Sequence, residues 1–209
     1  ISRRSLIYSE PFMRKFAMSD GVIEMASITY IKEARQRPSD MQRVMEYCMQ
    51  EKKTWDEEAG IRWVSGVNCD GINSITEFEA TKAAWGKEEG IRFYQYVQSF
   101  SPQENITHKQ AHEIALEFAA KAWPGHEVQV TTHCDARHVH THFVINSVSF
   151  ETGRKLRQNP NTLRQLRQMP LLPDIGQLPN QQFGQVDRGN GGFHMDLLLV
   201  VHIGLQRQI

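Results

Sequence analysis

The sequence predicts an α+β fold: a central antiparallel β-sheet flanked by helices in a two-layer or three-layer sandwich, followed by an irregular C-terminal tail. Three observations predict it. Strand-like and helix-like patterns are interleaved along the chain, which calls for layers of each kind. Two strand patterns, residues 127–133 and 138–150, are separated only by residues 134–137. That connection is too short for a parallel crossover, so the pair is a hairpin. Finally, Ser74 with Glu77 and Thr107 with Gln110 have the spacing of helix-opening capping boxes.

Residues 1–24 lack clear periodicity and read as an N-terminal extension outside the domain. The cleaner pattern opens at Met25, a natural start, and the domain is expected to span 25–168. The chain begins with Ile1 rather than Met, as a fragment or a protein with upstream sequence does. Ile28 and Tyr30 mark a short strand. Ser39 is placed to cap a helix to about Gln50, with Met41, Val44, Met45 and Cys48 on one apolar face. Residues 61–67 read as a strand closed by the turn Asn68-Cys69-Asp70-Gly71. Ser74 opens a helix to about Lys87, and aromatic and β-branched residues make 91–100 a strand. An alanine-rich helix runs from Thr107 to Trp123, where Pro124-Gly125 stops it. After Phe150 the chain becomes basic: Arg154, Lys155, Arg157, Arg164 and Arg167 face only Glu151. That patch suits phosphates, and equally suits a solvated basic helix. Residues 169–209 are rich in Pro, Gly and Gln without helical periodicity and are expected to form a poorly ordered tail.

A chain of 209 residues suits one domain with appendages. Its formal net charge of zero argues neither for nor against a nucleic-acid partner, which would need a local basic patch. Cys48, Cys69 and Cys134 are odd in number and show no CxxC pairing, a pattern of a reducing cytoplasm rather than a disulfide framework. No signal peptide or membrane span is apparent, and no membrane insertion is expected.

The most informative segment is 133–142, His-Cys-Asp-Ala-Arg-His-Val-His-Thr-His, which holds four of the nine histidines. Alternate residues of a strand share a face, so His138, His140 and His142 line up. A single His-x-His on a strand is most often an exposed or hydrogen-bonded pair. Four histidines with Asp135 at one end of an apolar hairpin point instead to a metal site. His133, ending the first strand, can meet His140 and His142 on the second, and three ligands leave a coordination position open for a substrate oxygen. His138 is then a further ligand, a supporting group or a substrate contact. Asp135 is placed to accept a ring N–H and fix a tautomer. The cysteines do not complete a zinc site by their spacing, and Cys134 is expected to point away. Three histidines accept Zn²⁺, Mn²⁺ and other divalent ions alike.

These residues also resemble a known family. The pattern His133-x-Asp135-x-x-His138-x-His140-x-His142, followed by Val144-Ile145-Asn146-Ser147, resembles the histidine motif of relaxases. These are mobilization nucleases of the MobA/VirD-like type within the HUH endonucleases. Tyr47-Cys48-Met49-Gln50-Glu51-Lys52-Lys53-Thr54 is similar to the family's N-terminal tyrosine motif, and residues 93–104 with Gln98-Ser99-Phe100-Ser101-Pro102 to its middle motif. Pro124-Gly125-His126 and Thr152-Gly153-Arg154-Lys155 match as well, so the resemblance covers about 25–166.

The resemblance implies a DNA relaxase that nicks one strand at an origin of transfer and stays joined to its 5′ end through a phosphotyrosine. Tyr47 is the implied nucleophile, with Asp135 or a histidine to take its proton. His133, His140 and His142 are the implied ligands of one divalent ion, Mn²⁺ or Mg²⁺ before Zn²⁺. His138, Asn146 and Ser99 are implied supporting or substrate-contacting groups; Lys52, Lys53, Arg154, Lys155 and Arg157 are implied phosphate contacts. Tyr8, Tyr30, Tyr94 and Tyr96 fit other places: the extension, the first strand and one strand face. Trp55 and Trp63 suit either base stacking or the core. The implied partners are single-stranded origin DNA, relaxosome accessory proteins and the coupling protein of a type IV secretion system, in a bacterial cytoplasm. Three other readings share parts of the pattern. They are a rolling-circle replication initiator, a metal-dependent hydrolase that dispenses with Tyr47, and an inactive truncated relaxase.

Overall fold

The computed structural model describes residues 26–136 and 138–169 throughout, and 15–18 and 21–24 by their backbone alone. In chain order the strands are β1 (Lys15–Met18), β2 (Gly21–Glu24), β3 (Ser27–Ile31), β4 (Trp55–Asp56), β5 (Ile61–Arg62), β6 (Val64–Val67), β7 (Phe93–Ser99), β8 (Val128–His133) and β9 (His140–Asn146). The helices are α1 (Pro38–Cys48), α2 (Glu51–Thr54), α3 (Ser74–Ala84), α4 (His108–Ala122) and α5 (Pro160–Gln168). Five strands form one sheet in the order β3-β7-β9-β8-β6, and every neighbouring pair is antiparallel. The predicted hairpin, β8 with β9, lies at the centre.

Both faces of this sheet are covered, which settles the sandwich as three-layered. Strand alternation sends Phe143 and Ile145 of β9 to one face, where they join Tyr94, Tyr96, Val128, Val130, and Phe118 and Trp123 from α4 and its end. Val144 points the other way, into a cluster with Met41, Val44, Met45 and Cys48 of α1, Phe78 of α3 and Phe93. All six residues of β8 are therefore buried, although polar residues interrupt its sequence. Trp123, Phe118 and Phe143 pack with ring centroids 5.4–5.7 Å apart. Fully burying one such side chain contributes roughly 1.5–3 kcal/mol.

Local readings differ from the structure at several points. Helix α1 is capped by Arg37, whose guanidinium and backbone N–H both bond Asp40, so Ser39 lies inside the first turn. The Ser74–Glu77 box does not form: Ser74 Oγ donates to Gly71 O, and Glu77 accepts from the Asp70 backbone N–H. Asp70 itself holds the turn by accepting from the N–H groups of Ile72 and Asn73. Helix α3 stops at Ala84 rather than Lys87 because Gly86 takes a left-handed φ of 60°. The Thr107–Gln110 box forms as expected.

The single strand expected over 61–67 is two. Its first part pairs with β4 in a small hairpin, and its second is the edge strand β6 beside β8. Buried Trp63 lies between them, bonding the backbone of Thr54 on one side and Thr132 on the other. Strand β9 begins at His140, leaving His138 in the loop. Within the expected extension, β1 and β2 pair as antiparallel strands. The expected tail lies outside the described residues, apart from Met169.

Candidate active site

The sheet register builds the histidine cluster. His133 of β8 pairs directly with His140 of β9, and Thr131 with His142. On one face this sets the three imidazoles together, with centroids 4.4 Å (His133–His142), 4.9 Å (His133–His140) and 5.3 Å (His140–His142) apart. One nitrogen from each lies within 4.8 Å of the other two. This face is the one covered by α1.

Burial keeps these rings neutral. It pulls His142 down to about 2 and His133 to about 4, and lowers His140 as well; neighbouring positive charge on the other rings and Lys53 adds to the effect. Backbone carbonyls then choose the tautomers. His133 donates from Nε2 to Cys48 O at 3.0 Å, which leaves its Nδ1 lone pair free. His140 donates from Nδ1 to His138 O at 3.2 Å, leaving Nε2 free. His142 Nδ1 faces the Gln95 amide at 3.3 Å. A half turn of that amide presents its oxygen to Nδ1–H and frees Nε2. Three neutral donors with fixed orientation fit one divalent cation, and they leave its charge uncompensated.

Tyr47 is delivered to the cluster by the end of α1. The last carbonyls of a helix lack intrahelical partners, and Cys48 O takes its partner from His133. Five residues on, Lys53 O accepts from Cys134 N at 2.6 Å. These two bonds clamp the segment from Tyr47 to Lys53 onto the end of β8. Met45 and Cys48 point into the core, so Tyr47 on the opposite face is 48% exposed, its ring 6.3 Å from that of His133.

Lys53 links the tyrosine to the loop. Its Nζ is 4.7 Å from the Tyr47 ring centroid and 3.0 Å from Asp135 Oδ2. Burial pushes the Asp135 carboxyl up, but the hydrogen bond and charge of Lys53 outweigh this and hold it below the usual range. Asp135 thus bonds an ammonium, and none of the three ring N–H groups goes to it as expected. Ser99 sits beside the cluster, directly opposite His140 on β7. His138 is exposed, its ring 5.4 Å from His140.

Other expected residues lie elsewhere. Asn146 is six residues along β9, about 20 Å from His140 at the usual rise per residue. There it donates to Phe78 O and Glu127, a packing role that removes it from the cluster. Lys155 donates to the carbonyls of Glu89 and Ile91, beside that far end of the sheet. Arg154 precedes it in the same turn, and exposed Arg157 follows Leu156, whose carbonyl takes the Tyr94 hydroxyl on the α4 face. These three basic residues are therefore not gathered at the histidines, whereas Lys53 is. Lys52 is exposed in α2. Tyr94, Tyr96 and Trp63 are buried, and Trp55 is partly exposed.

Residues 47–170 match the family described as Relaxase: MobA/VirD2-like, nuclease domain. The chain belongs to the MobA/VirD2-like relaxase family. Its match begins at Tyr47 and takes in the whole histidine hairpin. Protein rlx of Staphylococcus aureus is 46% identical over 95 residues, which cover 46% of this chain and 30% of that protein. A second Staphylococcus aureus protein rlx is 42% identical over 104 residues, 50% of this chain and 31% of its own length. The Group II intron-interrupted relaxase LtrB of Lactococcus lactis subsp. cremoris is 34% identical over 70 residues, 33% of this chain and 12% of that protein. The chain thus spans under a third of the length of these curated relatives. No solved structure matches it.

In this relaxase domain, two participants at the site escaped the sequence. Gln95 lies on a strand buried on both faces, and nothing local says that His142 stands next to it. The Cys48 carbonyl is a backbone group, invisible to any reading of side-chain types. Among the described residues no helix is long and apolar enough to cross a membrane.

Proposed function

We propose that this relaxase domain nicks single-stranded DNA at an origin of transfer by tyrosine transesterification. One observation carries the reading: an exposed tyrosine ring lies 6.3 Å from a member of a three-histidine cluster whose donor atoms converge within 4.8 Å. His133, His140 and His142 would hold one divalent ion, Mn²⁺ or Mg²⁺ in preference to Zn²⁺. When bound, that ion polarises a non-bridging oxygen of the scissile phosphate.

The chain's own residues supply the rest. The Tyr47 oxygen attacks phosphorus, the bond to the 3′ oxygen breaks, and that oxygen leaves as a hydroxyl after taking up a proton. The 5′ phosphate stays on the tyrosine, which conserves the phosphodiester for later rejoining. Lys53, its ammonium over the ring, stabilises the negative charge that builds during the attack. Asp135, ionised and bonded to Lys53, anchors that ammonium and is the acceptor for the phenolic proton. Ser99, His138 and Lys52 border the path of the strand, with Trp55 as a surface on which an unpaired base stacks. Origin DNA, accessory proteins and the coupling protein of a secretion system are the partners that such a reaction serves.

Labelled single-stranded origin DNA incubated with the protein and Mn²⁺ should give an adduct that survives denaturant. Tyr47→Phe should abolish it and His140→Ala should reduce it severely. Absence of any adduct with the unaltered protein, or its persistence in Tyr47→Phe, overturns the reading. Cleavage without adduct that continues in Tyr47→Phe but stops in His140→Ala would establish a hydrolase instead.

A further inference from the structure

Consecutive residues where β8 ends point to different clusters. His133 turns into the histidine triad, while Cys134 turns away toward Thr54 O, its Sγ 3.9 Å from that oxygen. On that side it meets Asp56 of β4 and His108, the first residue of α4. One nitrogen of His108, one carboxylate oxygen of Asp56 and Cys134 Sγ lie within 4.8 Å of one another, all partly buried. The sequence separates them by 52 and 26 residues, so no spacing motif announces them.

We propose that Asp56, His108 and Cys134 form a second metal site, one for a zinc-class cation, distinct from the histidine cluster. A thiolate, an imidazole and a carboxylate are the donor types such a cation takes, at metal–ligand distances of about 2.0–2.3 Å. Donors at those distances stand roughly 3.5 Å apart, so small side-chain rotations close the set. The carboxylate is already held in place. Its Oδ1 accepts from the N–H groups of Glu58 and Ala59, and its Oδ2 from the Trp63 indole at 2.9 Å. The same Oδ2 is 2.9 Å from His108 Nδ1, so carboxylate and imidazole are oriented toward each other before any ion arrives.

The charge of this set gives it a different task from the first. Thiolate and carboxylate cancel a dication, whereas three neutral imidazoles do not. The second ion is thus a clamp rather than a Lewis acid. It ties together the β4–β5 hairpin carrying Trp55, the start of α4, and the loop carrying Asp135. The clamp stands independently of the nicking reaction.

Cobalt(II) tests it, because a cobalt–thiolate bond gives a near-ultraviolet charge-transfer band that an all-histidine site lacks. Full-length protein freed of metal by chelation is titrated with Co²⁺ alone. The band is expected in the unaltered protein and in His140→Ala. Loss of the band is expected in Cys134→Ser, with one cobalt fewer bound per chain, and in His108→Ala at least a tenfold weaker affinity. Circular dichroism checks that each variant folds. Should Cys134→Ser fail to fold, His108→Ala decides, since full-strength cobalt binding there overturns the site. No band in the unaltered protein, or a band that survives Cys134→Ser and disappears in Cys48→Ala, also overturns it.

Discussion

The Lys53 ammonium lies against the Tyr47 ring, 4.7 Å from its centroid, and the same nitrogen holds Asp135 at 3.0 Å. The pair comes from one short stretch of chain, where a helix ends and a single turn of helix follows. A cation there stabilises negative charge that gathers on the phenolic oxygen in the transition state and costs no rearrangement as it forms.

Lys53→Met should therefore slow adduct formation about 10- to 100-fold, the equivalent of roughly 1–3 kcal/mol in the barrier. The loss should fall on the single-turnover nicking rate rather than on DNA affinity, while Lys53→Arg retains most of the activity. A uniform loss of DNA binding with an unchanged single-turnover rate would instead make Lys53 a plain phosphate contact.

Gln95→Leu removes the group that orients His142 without touching a ligand. Loss of such a supporting bond typically costs 10–100-fold in metal affinity. Titration of metal-free protein with Mn²⁺, followed by calorimetry, should show a drop of about that size, with the fold intact by circular dichroism. Excess Mn²⁺ should restore adduct formation in Gln95→Leu.

His112, buried between Thr132 Oγ1 and Ser65 Oγ, titrates the stability of the domain. Burial lowers it from 6.5 to about 4. Between those values the unfolded chain binds a proton that the native state refuses, so stability falls as pH drops and levels off below the lower one. The full effect is about 3 kcal/mol for this one ring. In chelated protein His133 and His142 act in the same sense. Urea unfolding across this window should show the decline, and His112→Gln should flatten part of its slope.

Phe143 is central in β9 and packs on both Phe118 and Trp123. Phe143→Ala should destabilise the domain by about 3–5 kcal/mol, read from the urea midpoint. Because its neighbours in sequence, His142 and Val144, face the other layer, the variant should show intact metal affinity at temperatures where it stays folded.

Much of this site could be read along the chain because it is local. Period-two alternation puts His140 and His142 on one face of any strand, and a short connection makes an antiparallel partner of the segment ending in His133. The apolar positions Met41, Val44, Met45 and Cys48 define the buried side of α1, so Tyr47 must lie away from it. Asn146 and Lys155 lie away from the histidines for an equally physical reason. A strand that starts at the site ends about 20 Å from it, and motif adjacency in sequence says nothing about that direction.

The sequence by itself determined the main helices and central strands, the buried side of α1, the histidines that converge and the family to which the chain belongs, since each follows from periodicity, chain connection or motif order. Only the tertiary structure decided the pairing of His133 with His140, the two bonds that clamp the Tyr47 segment to β8, and the meeting of Asp56, His108 and Cys134. Those contacts join residues dozens of positions apart. They depend on sheet register and on which carbonyl at a helix end lacks a partner, and neither is written in the residue types alone.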